Sequence, residues 1–128
     1  MAEAYNQSAL RHYFDSEKLA DLGRFDNAGH LIGFAAECAL KHAFAIMEPV
    51  NSPRVHLPDL ANALLKHVKS RNSQETALRN LLAQTKGGFF DDWRVAARYE
   101  IDGLVDQATY RKWRGLAQRA IGAAGLRP

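Results

Sequence analysis

The sequence predicts an all-α protein, an up-down bundle of four to five helices arranged around one long central helix. Three observations carry that prediction. The first is the segment DNAGHLIGFAAECALKHAFAIM, from Asp26 to Met47, where Ala28, Leu31, Ile32, Ala35, Ala39, Ala43 and Ile46 recur at the three-and-four spacing of one helix face. A second row, Gly33, Ala36, Leu40, Phe44 and Met47, widens the apolar coat, so the helix should be wrapped by neighbours on several sides. The second observation is that no alternating apolar–polar run marks a strand. The third is that helix start and stop signals divide the chain at short intervals.

The elements follow in order. Asn6 to Leu22 suits a first helix with Leu10, Tyr13 and Phe14 inward and Leu19 or Leu22 extending the stripe. Gly23 is placed to end it, because glycine takes the left-handed conformation beyond a helix without strain. Asp26 or Asn27 can cap the central helix, and the short connection makes the two an antiparallel hairpin. PVNSPRVHLP holds three of the four prolines and reads as a loop. Pro58 and Asp59 open a third helix with the stripe Leu57, Leu60, Ala61, Leu64, Leu65 and Val68, which His67 flanks. Asn72 or Ser73 caps a fourth, with Ala77, Leu78, Leu81 and Leu82 inward and Gly87-Gly88 at its end. The aromatic run FFDDWRVAARYEIDG is expected to cover one end of the core through Phe89, Phe90, Trp93 and Tyr99. The last helix runs from about Asp106 to Ala124, with Trp113, Leu116, Ala117, Ala120 and Ile121 inward.

Bulk properties narrow the classes. A chain of 128 residues with 47% apolar and 24% charged side chains suits one soluble domain, 1–128. One cysteine allows no internal disulfide, and neither a signal-peptide pattern nor a membrane-length apolar run is present, so a cytoplasmic location is expected. The formal charge of +3 is unevenly spread. Residues 1–48 carry four basic and seven acidic side chains, a net −3, whereas residues 49–128 carry thirteen and seven, a net +6. A basic half can attract nucleic acid or an acidic protein, or it can be an ordinary solvated face.

Several residues invite a chemical reading. Glu37 stands four before Lys41, the favourable order for a helical ion pair. With His30 they interrupt the apolar coat on one side. Glu37 is expected either at the rim of the bundle or, by preference, buried as a structural carboxylate bonded to Arg98 or Tyr99. Asp15, Glu17, Asp21 and Asp26 on the first hairpin can steer a basic protein partner. Arg111, Arg114 and Gln118 share a face of the last helix that can meet RNA phosphates. Cys38 and His42 are four apart, but no second ligand cluster accompanies them, so no metal is expected, and nothing implies a cofactor. Gly87-Gly88 lacks the spacing of a phosphate loop.

GRFDNAGHLIGFAAECALKHAF resembles the first helical hairpin of the HEPN domains, the "higher eukaryotes and prokaryotes nucleotide-binding" family. HLPDLANALL and DWRVAARYE follow in that family's order, with Trp93, Arg98 and Tyr99 matching its tryptophan and Arg-Tyr. The likeness spans roughly Ser8 to Leu116 and is most specific at Glu37–Lys41. It implies a bundle of four to five helices, often a homodimer. It also implies a choice of functions: ribonuclease toxin, antitoxin or nucleotidyltransferase partner, and non-catalytic RNA- or protein-binding module. Ribonucleolytic members carry an arginine and, four to six residues on, a histidine late in the fold, where the imidazole moves a proton and the guanidinium stabilises phosphate charge. This chain has no histidine after His67. Arg24 and His30 have that separation but stand at the start of the central helix, leaving them as weak catalytic candidates. The expectation is therefore a non-catalytic module acting on a protein partner, a nuclease toxin or a nucleotidyltransferase. An RNA-directed enzyme or binder is the alternative.

Overall fold

A computed structural model describes residues 4–47, 56–57, 59–66, 68, 72–84, 92–93 and 103–128. Among them the protein forms five helices and no strand: α1 (Tyr5–Asp21), α2 (Phe25–Met47), α3 (Asp59–Leu65), α4 (Ser73–Gln84) and α5 (Gln107–Ala123). The all-helical class read from the sequence is the class observed. Expectations for His67, Pro58, Gly87-Gly88, Phe89, Phe90, Arg98 and Tyr99 fall outside the described residues.

The central helix α2 is 23 residues long and packs chiefly against α1 and α5, with α3 beside it and α4 reaching α5. Ala28, Ile32, Ala35, Ala36, Ala39, Leu40, Ala43 and Phe44 are all buried along it. Small residues dominate that list because close helix approach on several sides leaves little room for side chains. Gly33 is the extreme case: a Cβ there would overlap the Trp93 indole. Trp93 thus lies against the flank of α2, its Nε1 donating to the Gly29 carbonyl at 3.1 Å, rather than merely covering an end of the core.

The hairpin is closed as expected. Gly23 takes φ +75°, and the amides of Leu22, Gly23 and Arg24 donate back to carbonyls of the last turn of α1. Because α2 begins at Phe25, Asp26 and Asn27 lie inside its first turn and cap nothing. Asn72 does cap α4, its Oδ1 accepting from the Glu75 amide at 2.8 Å, and Asp106 caps α5 through Thr109 at 2.7 Å.

Three positions differ from the predicted stripes: Phe14 and Ile46 are exposed, at 48% and 63%, and Ala77 of α4 is exposed while Glu75 is buried. Of the two residues expected to extend the α1 stripe, Leu19 packs against the core and Leu22 is 72% exposed. In α1 the buried line runs through Ala9, Tyr13 and Ser16. Phe14 follows Tyr13 by about 100° of rotation and so turns outward.

Candidate functional site

The charged residues singled out from the sequence fall into three groups, and packing uses many of them within the fold. Along the seam between α1 and α5, Gln118 Nε2 donates to the Tyr13 hydroxyl at 2.7 Å. One turn on, Arg114 donates to Glu17 at 3.0 Å while its guanidinium lies 5.7 Å from the centre of the Tyr13 ring. Partial burial works against the Arg114 charge, but Glu17 and the neighbouring phenols more than offset it and raise its pKa above the ordinary value. Ser16 donates to the Tyr13 carbonyl and lies 3.3 Å from the Tyr110 hydroxyl, closing the seam from inside. Arg114 and Gln118 are therefore each engaged with α1, Gln118 while still exposed, and Arg111 is exposed beside them. Lys112 is likewise engaged, with Asp92 at 2.9 Å.

The acidic set divides. Glu17 is held by Arg114. Asp26 accepts from the amides of Gly103 and Val105 at 2.7 and 3.0 Å, tying the approach to α5 onto the start of α2. Asp15 and Asp21 remain exposed on α1.

Glu37 is buried, only 3% exposed. Both its oxygens accept from His56 Nδ1–H at 3.0 Å, one also accepts from the Leu57 amide at 3.0 Å, and Lys41 Nζ stands 3.6 Å away. Lys41 in turn lies 5.8 Å from the Tyr5 ring centre. The carboxylate thus fixes the backbone just ahead of α3 to the middle of α2. Its buried structural character is what the sequence suggested; the expected partners Arg98 and Tyr99 lie outside the described residues. His56 as a partner was missed. It lies 19 residues on in the sequence, and only the oddity of one glutamate in an apolar helix hinted at a distant donor.

Arg24 and His30 are not brought together. Arg24 precedes α2 with its side chain exposed, and six residues of helix separate the two by about 9 Å and about 240° of rotation. His30 stacks on Trp93, centroids 5.8 Å apart at 24°, and meets Phe34 edge-on at 4.8 Å. Phe34 also contacts the rings of His12, His56 and Trp93. Burial, with a smaller push from Arg11 and an opposing one from Asp15, lowers the pKa of His12 from 6.5. Cys38 is a partly buried thiol packed against the core. No group of metal-ligating side chains occurs among the described residues.

The class that fold and surface define is an all-helical bundle, and no helix among the described residues is long and apolar enough to cross a membrane. No family model, curated protein or solved structure matches the chain.

Proposed function

We propose that the protein is a non-catalytic, HEPN-like binding module that acts through a protein partner, as an antitoxin or immunity protein against a nuclease toxin or as the accessory of a nucleotidyltransferase. The observation that carries this reading is the outward stripe of α1. Phe14 on α1 and Leu22, the residue just past its end, are two large apolar side chains left exposed, eight residues and about 80° of helical rotation apart. Arg11, Asp15, Lys18 and Asp21 are exposed between and beside them. A rigid helix face with apolar anchors and a mixed-charge surround suits recognition by a protein groove. Two charges of each sign fit a partner of matching alternation better than a uniformly basic surface.

The alternative, a HEPN-type ribonuclease or RNA binder, draws on the basic C-terminal half and on exposed Arg111. It is the weaker reading because Arg114 and Gln118 are spent on α1. The test is affinity capture from the native host with wild-type protein and with a Phe14→Asp, Leu22→Asp variant, each with and without nuclease treatment. A toxin or nucleotidyltransferase retained by the wild type and lost with the variant is the expected result. A second copy of the chain as the partner would make this face a homodimer contact. RNA recovered equally by both proteins, or RNA cleavage abolished by Arg24→Ala and His30→Ala with the fold intact, would overturn the proposal.

A further inference from the structure

The cross-links between α1 and α5 form a ladder whose last rung is open. Successive turns of α1 present Tyr13, Glu17 and Asp21, while α5, running the other way, presents Gln118, Arg114 and Arg111. The first two rungs are closed, by the Gln118–Tyr13 and Arg114–Glu17 hydrogen bonds. At the third the walls part around a cleft of about 230 Å³. Asp21 and Arg111 stand on its opposite walls, Phe25 and Tyr110 line it between them, and Gln107 lies at the α5 end. The two rings are 6.0 Å apart at 44°. Asp21 and Arg111 are exposed, and among the described residues neither makes an ion pair.

We propose that this cleft binds a free α-amino acid, its ammonium on Asp21, its carboxylate on Arg111 and its side chain against Phe25. Each part of the lining excludes a different ligand class. A phosphate or simple carboxylate near Arg111 would meet Glu17 and Asp21, and a simple cation near Asp21 would meet Arg111 and Arg114. A ligand with both signs satisfies both walls. The volume is below the roughly 300–1,000 Å³ of pockets for drug-sized ligands, which suits an amino acid and is too small for a nucleotide cofactor. Adjacent ammonium and carboxylate groups on one carbon occur in free amino acids, whereas a polypeptide separates them by its whole length. The cleft shares Asp21 with the edge of the outer face of α1, but binding of a free amino acid is read on the protein alone, with no partner docked there.

Calorimetric titration with free phenylalanine and free leucine, and with N-acetylphenylalanine and phenylalaninamide as probes lacking one charge, tests it. The free amino acid should bind saturably, and each blocked derivative about tenfold more weakly or worse, the loss expected for one charged hydrogen bond. Asp21→Asn should abolish the preference over the N-acetyl compound, and Arg111→Gln the preference over the amide. The exchange Asp21→Arg with Arg111→Asp should restore binding of the zwitterion in the reverse orientation. Both positions are exposed, so circular dichroism should show each variant folded. No saturable heat with either free amino acid, or blocked derivatives that bind as well as free ones, would overturn the proposal.

Discussion

Glu37 shows how a single side chain can link distant parts of a bundle. Taking a carboxylate out of water is costly unless its lone pairs are met. Here His56, the Leu57 amide and Lys41 meet them. Removing the carboxylate would leave the Leu57 amide without its acceptor, so Glu37→Ala is expected to lower unfolding stability by about 3 kcal/mol, read from urea denaturation. Binding by the α1 stripe should be unchanged at temperatures where the variant is folded, because that stripe lies on another element. Titration gives a second expectation. The lowered pKa of His12 means that the unfolded chain takes up a proton more readily than the folded one. The associated stability is present above the unfolded value of 6.5 and is lost as pH falls through the lower folded value. His12→Gln should flatten that part of the stability–pH curve. A separate loss belongs below 3.8: burial raises the Asp92 pKa, but the Trp113 and Lys112 hydrogen bonds outweigh it, leaving a lowered value. Asp106, held by the Thr109 amide, is lowered as well. Stability from both is present above the unfolded value and fades as pH drops through the folded ones.

At the scale of elements, periodicity read the buried sides of α2, α3 and α5 well: α3 and α5 have an apolar stripe with polar residues opposite, and α2 is apolar over most of its circumference. The third-helix stripe is the clearest case: Leu57, Leu60, Ala61, Leu64 and Val68 are buried and Leu65 is partly buried against the core. Reading failed where an element has more apolar residues than core-facing positions. In α1, Tyr13 and Phe14 are adjacent, so one must turn away, and composition alone does not say which. The same limit governed the candidate site. Asp15, Glu17, Asp21 and Asp26 look alike in sequence, yet two are engaged by packing partners 77 to 97 residues away, which local spacing cannot register. The Gly33–Trp93 contact was hidden for the same reason. It yields a direct expectation: Gly33→Ala forces the indole or the helix to shift and should cost about 1–3 kcal/mol, with a change in tryptophan fluorescence as the accompanying sign. The Glu17–Arg114 pair is about one-third exposed on each side. A double-mutant cycle across it should return a coupling of only about 0.2–1 kcal/mol, since the seam rests mainly on the apolar contacts beneath.

For the whole molecule, the decision between a protein partner and RNA can be made from salt dependence. Net charge alone favours RNA, because the second half of the chain carries thirteen basic against seven acidic side chains. The fold cancels part of that excess locally: Arg114 is matched by Glu17 and Lys112 by Asp92, so these cations are not arranged as a bare row for a phosphate backbone. Each phosphate neutralised would release counterions and steepen the fall of affinity with salt, by about 0.7 in the logarithmic slope for a single strand. A short single-stranded RNA should therefore show only weak binding in fluorescence anisotropy, with a shallow slope that Arg114→Ala leaves in place. The protein partner should behave differently. Its affinity should change modestly with salt, because the outer stripe of α1 contributes equal numbers of each charge, and should collapse when Phe14 and Leu22 become aspartate. Those two substitutions lie on exposed positions, where stability changes are usually within about 0.5 kcal/mol, so loss of binding without loss of the thermal transition would assign the effect to the surface. A steep salt slope for RNA, lost with Arg111→Ala and indifferent to the α1 substitutions, would instead assign the molecule's work to α5.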